Sequence, residues 1–238
     1  MRTTTIGTVH QLSFMPDAFP VNCYLIEERD SLTLIDTALP YSTAGILKTA
    51  RTIGKPITHI ILTHAHMDHV GSLDELTDAL PNAQVGISVR DARLLAGDSD
   101  LLAGEPQSPV KGGLPKKIRS RPDILLKEGD RIGSLEVIFS PGHTPGSISL
   151  IDTRNGSLIA GDAFQTRGGV AVSGQVKPLF PFPAMATWHK GAALISAKRL
   201  RALNPALLAV GHGRILEQPA RAMDKAIAVS EKKLKPSR

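Results

Sequence analysis

The sequence predicts an α/β fold in which two β-sheets lie face to face and helices cover the outside. Three observations lead there. Short β-prone runs come first in each half of the chain, with helical periodicity between and after them. The 238 residues are 42% hydrophobic and only 4% aromatic, enough for a large aliphatic core in one domain spanning 1–238. Side chains that bind metals follow apolar runs at four separate places, as strand ends meeting at one edge would arrange them.

The elements follow in order. Residues 8–14, 22–27 and 32–36 are β-prone runs separated by Pro16, Pro20 and the charged turn Glu28-Arg29-Asp30. Residues 41–53 have helical spacing, with Ile46, Leu47 and Ala50 on one face and Gly54-Lys55-Pro56 as the stop. A short buried strand is expected at 59–62, a helix at 70–80, a strand at 84–89 and a helix at 90–96. Residues 97–123 are rich in Gly, Pro and Lys and read as a long surface loop, with a lid over a site as one use for it. Strands return at 135–140, 147–152 and 157–160. A helix over 183–203, a buried strand at 206–210 and a terminal helix over 219–234 complete the pattern.

Residues 63–71 read Thr-His-Ala-His-Met-Asp-His-Val-Gly, directly after Ile60-Ile61-Leu62. His64, His66, Asp68 and His69 at the end of a buried strand are polar groups with nothing apolar to offer, and a metal is what satisfies them together. Imidazole and carboxylate suit zinc, iron or manganese. Further candidates are His143 in Pro141-Gly142-His143, Asp162 in Gly161-Asp162, and His212 in Gly211-His212-Gly213, each after an apolar strand and beside glycine. Five histidines and two aspartates exceed one tetrahedral zinc and suit two metals sharing a bridging carboxylate.

These motifs resemble those of the metallo-β-lactamase fold superfamily. Its His-x-His-x-Asp-His signature is met at His64, His66, Asp68 and His69, and its later His, Asp and His stand in order at His143, Asp162 and His212. The resemblance runs from Asn22 to His212. It implies a four-layer αβ/βα sandwich of two mixed sheets with the site at one edge, and two divalent metals, zinc first and iron or manganese as alternatives. On this resemblance His64, His66 and His143 hold one metal, Asp68, His69 and His212 the second, and Asp162 bridges. Asp36 resembles the family's supporting aspartate that orients an imidazole, with a helix cap or a turn residue as the plainer use for it.

The implied reaction is hydrolysis of an ester, lactone or thioester by hydroxide held between the two metals, with Asp68 or Asp162 carrying the proton. The lactonases of the family place a tyrosine three residues beyond the bridging aspartate; here the residue is Gln165, which can also donate a hydrogen bond. The lactonase and glyoxalase II-like branch fits the chain's size. The rival readings are a mononuclear-iron persulfide dioxygenase of the same fold and, after it, a phosphodiesterase or nuclease.

Other features bound the partners. A small-molecule substrate is expected, with no membrane and no nucleic acid, because no apolar run spans a bilayer and the basic runs lack interleaved aromatics. The formal charge of +6 sits largely in Lys111, Lys116, Lys117, Arg119 and Arg121 and in Lys225, Lys232, Lys233, Lys235 and Arg238, read as solvated surface with an anion-attracting patch as the alternative. A single cysteine, Cys23, excludes an internal disulfide framework and fits a cytoplasmic location. His10, His59 and His189 read as structural. The stretch holding Phe164, Gln165, Phe182 and Trp188 offers either core packing or a pocket wall beside the metals. An apolar terminal helix leaves a homodimer open.

Overall fold

A computed structural model describes residues 1–234; Lys235 and Arg238 of the basic tail lie outside them. The chain runs β1 (Arg2–Ile6), β2 (Val9–Phe14), β3 (Val21–Glu27), β4 (Leu32–Ile35), α1 (Thr43–Ile53), β5 (Ile57–Ile61), α2 (Met67–Val70), α3 (Leu73–Ala79), β6 (Gln84–Ser88), α4 (Val89–Leu95) and β7 (Ile124–Leu126). The second half adds β8 (Arg131–Ile132), β9 (Leu135–Phe139), β10 (Ile148–Asp152), β11 (Ser157–Ile159), β12 (Phe164–Gln165), β13 (Ala171–Val172), α5 (Phe182–Ala186), α6 (Lys190–Ala202), β14 (Leu207–Ala209), β15 (Leu216–Glu217) and α7 (Ala220–Leu234).

Strands β1 to β7 form one sheet in chain order, antiparallel as far as β4 and parallel from there. The second sheet is ordered β15-β14-β11-β10-β9-β8, antiparallel except for the parallel pair β11 and β14. Both sheets are therefore mixed. Period-two alternation of large apolar residues explains why four layers form. Leu25, Leu34 and Ile60 point to one side of the first sheet, into a core with Ile46 of α1, Leu73 of α3 and Leu94 of α4. Their neighbours Tyr24, Ile35 and Ile61 point the other way, against Val137, Leu150 and Ile159 of the second sheet. On the second sheet Leu158 and Leu208 turn outward to meet Ala197 and Leu200 of α6 and Met223 of α7. Sheets buried on both faces need helices outside, which is the αβ/βα sandwich the sequence predicts.

Several local expectations shift. The predicted helix over 70–80 is two helices, and α2 starts at Met67, so Asp68 and His69 are helical. The predicted helix over 183–203 breaks at 187–189, where the amides of Trp188 and His189 donate to the carbonyls of His143 and Gly142 (2.9 Å each). Edge strands β1, β7, β8 and β15 and the small ribbon β12–β13 are additional to the expected elements, runs of two to five residues being too short to show a periodicity. The apolar face of α7 (Met223, Ala226, Ile227) is used by the chain's own third core. No helix among the described residues is long and apolar enough to cross a membrane.

Residues 97–123 contain no helix or strand, as expected, yet they are fastened down rather than loose. Arg90 grips Glu105 (2.6 Å), the Trp188 indole N–H donates to the Ser108 carbonyl (2.7 Å), and the Met67 amide donates to the Gly113 carbonyl (2.8 Å). Val110, Leu114 and Ile118 pack against the first core. The segment is a strap across the end of the sandwich.

Candidate metal centre

Strand direction brings the ligands together. The parallel strands β11 and β14 end on the same edge, and Asp162 and His212 follow them. Strand β10 runs opposite to β11, so the β9–β10 turn carrying His143 lies on that edge too. The first sheet joins them where the Ile148 amide donates to the Thr63 carbonyl (2.9 Å), directly before His64. All seven predicted residues are thereby gathered, and six of them are buried, Asp68 keeping partial exposure.

Three groups of donor atoms result; one of them, Asp36 with His64 and His69, contains the carboxylate behind His69, and the other two contain only predicted ligands. Ligand-capable atoms of His64, His66 and His143 lie within 4.8 Å of one another, and those of Asp68, His69 and His212 do likewise. Asp162 stands between the groups: its Oδ2 is 3.2 Å from His143 Nε2 and 3.2 Å from His212 Nε2, while its Oδ1 is 3.6 Å from His69 Nε2. Gly211 permits this approach, since a Cβ there would fall 2.0 Å from Asp162 Oδ1. Glycine beside His212 thus answers a close contact; the sequence alone suggested a sharp turn.

Each imidazole is held from behind. His69 Nδ1–H donates to Asp36 Oδ2 (2.8 Å), His212 Nδ1–H to the Pro20 carbonyl (2.8 Å) and His66 Nε2–H to the Lys111 carbonyl on the strap (2.8 Å). His64 Nδ1 faces Thr63 Oγ1 and His143 Nδ1 faces Ser173 Oγ, both at 3.0 Å. A carbonyl or carboxylate acceptor keeps a proton on the distal nitrogen and so turns the other nitrogen of that ring toward the centre. Gly112 makes the strap contact possible: its φ is +91°, and a Cβ would overlap the His66 ring at 2.3 Å. Asp36, which the resemblance offers as the aspartate behind an imidazole, stands at hydrogen-bond distance from His69. It adopts a left-handed φ of 58°, and its oxygens also accept from the Thr63 amide (2.7 Å) and hydroxyl (2.8 Å).

The donor set fits a pair of cations. His64 Nε2, His69 Nε2 and Asp162 Oδ1 are buried with no hydrogen-bond partner, a costly arrangement in a bare protein. His66 Nδ1 and His143 Nε2 face each other at 3.0 Å, so the inner nitrogens of two predicted ligands point into the same space. A cation there would give the orphaned atoms a partner.

Protonation divides the centre. Burial holds His64 well below the ordinary histidine range, helped by the other imidazoles, and it brings His143 down to about 3 against the pull of Asp162. Burial also outweighs the Lys111 carbonyl at His66, which is lowered. These three rings are neutral and ready to coordinate. At His69 burial acts downward but Asp162, Asp68 and Asp36 together outweigh it, lifting the ring to about 9; His212 is raised by Asp162 and Asp68 in the same way. The carboxyls of Asp68 and Asp162 are pushed up by burial and yet held well below the usual range by the surrounding imidazoles.

The pocket candidates separate. Phe164 is fully buried in the third core, the packing use that the sequence leaves open for it. Trp188 is 4% exposed and anchors the strap through Ser108. Gln165 is buried, its amide N–H groups donating to the carbonyls of Arg167 (3.0 Å) and Phe180 (3.1 Å). Phe182 is 51% exposed and belongs to an aromatic group with Phe180 and Phe19, the latter two lying 5.5 and 5.6 Å from the His212 ring. Phe19 was invisible in the sequence, being 161 positions from Phe180 and in a Pro-flanked turn. His189 caps α6 by accepting from the Ala192 amide, and His10 lies between Thr5 and Glu27, both structural as predicted.

A sandwich of this kind, with histidine and aspartate converging at the strand ends of both sheets, places the protein among the metal-dependent αβ/βα proteins. The chain belongs to the metallo-beta-lactamase superfamily, whose family model matches residues 16–212. It is 57% identical to the Bacillus subtilis protein YobT over 232 residues, 98% of this chain and 100% of that one. It is 30% identical to the hydroxyacylglutathione hydrolase of Rhodospirillum rubrum over 217 residues, 89% of this chain and 67% of that one. Among solved structures, the di-iron-bound form of TTHA1623 is similar with a TM-score of 0.61 at 28% identity, covering 93% of this chain and 97% of that chain.

Proposed function

We propose that this protein is a dinuclear metal-dependent hydrolase acting on an ester or thioester, with lactones as the third substrate class. The observation that carries the reading is the position of Asp162 Oδ2, 3.2 Å from an imidazole of each donor group. His64, His66 and His143 would hold one divalent cation, Asp68, His69 and His212 the other, and Asp162 would join them; zinc is the first choice, with iron and manganese compatible. When bound, such a pair supplies Lewis acidity and a water acidic enough to be deprotonated near neutral pH.

The chain's own residues do the rest. Asp68 keeps 31% side-chain exposure where Asp162 keeps 2%, so Asp68 is the carboxylate that can take a proton from the attacking water and hand it to the leaving group. Phe19 and Phe182 form an apolar shelf beside His212 on which an acyl group can rest. Gln165 has its amide committed to backbone carbonyls, which favours esters and thioesters over lactones that would need it as a donor. The hydroxyacylglutathione hydrolase likeness supports the thioester arm.

Metal analysis of purified protein followed by a panel of esters, thioesters, lactones and phosphodiesters tests the proposal. Two metals per chain and turnover of an acyl substrate are expected. One iron per chain with oxygen consumption on a persulfide would overturn it.

A further inference from the structure

Helix α4 opens with Ser88-Val89-Arg90-Asp91, and Ser88 Oγ accepts from the Asp91 amide (3.1 Å) in an ordinary helix cap. The Asp91 side chain does something else. It is fully buried, and its Oδ2 accepts from the Ala65 amide (3.0 Å) and the Thr144 hydroxyl (2.7 Å), while Oδ1 accepts from the Gly146 amide (2.8 Å). Ser88 Oγ–H closes the ring by donating to the Gly146 carbonyl (2.6 Å). Ala65 lies between His64 and His66, and Thr144 follows His143. One carboxylate therefore ties together the two turns that carry the first donor group, although those turns come from different sheets.

Placing it there is costly. Among the described residues Asp91 has no ion-pair partner, because the neighbouring Arg90 is turned to Glu105 (2.6 Å). A buried carboxylate held only by neutral donors is tolerated where its geometry matters. The second donor group is supported elsewhere, at Asp36 behind His69 and at the Pro20 carbonyl behind His212.

We infer that Asp91 is a positioning residue for the first metal alone, setting the spacing of His64, His66 and His143 by clamping their two turns to the start of α4. The inference rests on the two-metal reading above. An amide in its place keeps the volume but turns an NH2 toward a donor it formerly accepted from, so Asp91→Asn is the discriminating change.

The test is zinc titration of the full chain against a competing chelator, which reads affinity without reference to activity. Wild type is expected to bind two zinc ions; His143→Ala identifies the first site and Asp68→Ala the second. Asp91→Asn is expected to weaken the first site about 10–100-fold and leave the second within about twofold, the range of other groups that support metal ligands. Thr144→Val, which deletes one of the three bonds, is expected to weaken the same site several-fold, and it decides the matter if Asp91→Asn does not fold. Equal weakening of both sites, or of neither, in whichever variant folds overturns the inference while the two-metal reading stands. A wild-type protein that binds fewer than two zinc ions overturns both.

Discussion

His69 Nδ1 lies 2.8 Å from Asp36 Oδ2, with both side chains almost wholly shut off from water. Asp36 also accepts from the amide and hydroxyl of Thr63, so one carboxylate supports the ring of His69 and the residue that precedes His64. Asp36→Asn is expected to cost about 1–3 kcal/mol of stability in urea denaturation, because a donor NH2 then faces a donor. Stability equal to wild type would show that the left-handed backbone at Asp36, and not its charge, is what the site needs.

Asp162→Ala is expected to lose at least one metal per chain and to lower acyl-substrate turnover by more than 100-fold, since it removes the group between the two donor sets. Full activity in protein shown to carry two metals would remove Asp162 from its bridging role.

The pH dependence of stability should differ between chelated and metal-loaded protein. In the metal-free chain His69 titrates near 9, above the ordinary histidine value of 6.5. A raised value means that the folded state prefers the charged ring. Its contribution is complete below pH 6.5 and fades as the pH rises through about 9. Melting temperature of chelated protein should fall across that window, and zinc-loaded protein, in which the ring is held by the cation, should show a flatter profile. Parallel profiles would contradict the placement of His69 as a ligand.

Removing metal should lower the melting temperature by several degrees, because ligands that a cation satisfies become unpaired buried groups. Differential scanning calorimetry before and after verified chelation measures this. An unchanged transition would mean that the centre is satisfied without a cation.

Trp188→Phe keeps a large ring but deletes the indole N–H that reaches Ser108. The strap over His66 should loosen, seen as faster amide exchange over 108–113, with little change in acyl preference. Phe182→Ala should do the opposite and alter the preference for large acyl groups. A changed substrate profile in Trp188→Phe with unchanged exchange would make Trp188 a pocket residue.

The sequence alone determined a good deal. Four ligand-type residues within six positions after an apolar run announce a metal, because nothing else satisfies that much polarity at a strand end. β-prone runs such as 22–27 and 32–36, with helical stretches between and after them, announced two sheets covered by helices. Tertiary structure decided which distant groups touch. In the sequence Asp91 is only an acidic residue near the start of a helical stretch, and the meeting of two turns is what reveals that its carboxylate points inward. Phe164 and Trp188 lie in the same chain segment as Phe182, yet two are buried and one is half open, since exposure depends on the packing of α5, α6 and the strap. Local patterns report the chemistry of a few neighbouring residues, whereas the supporting shell of this centre is built from hydrogen bonds between residues tens to nearly two hundred positions apart.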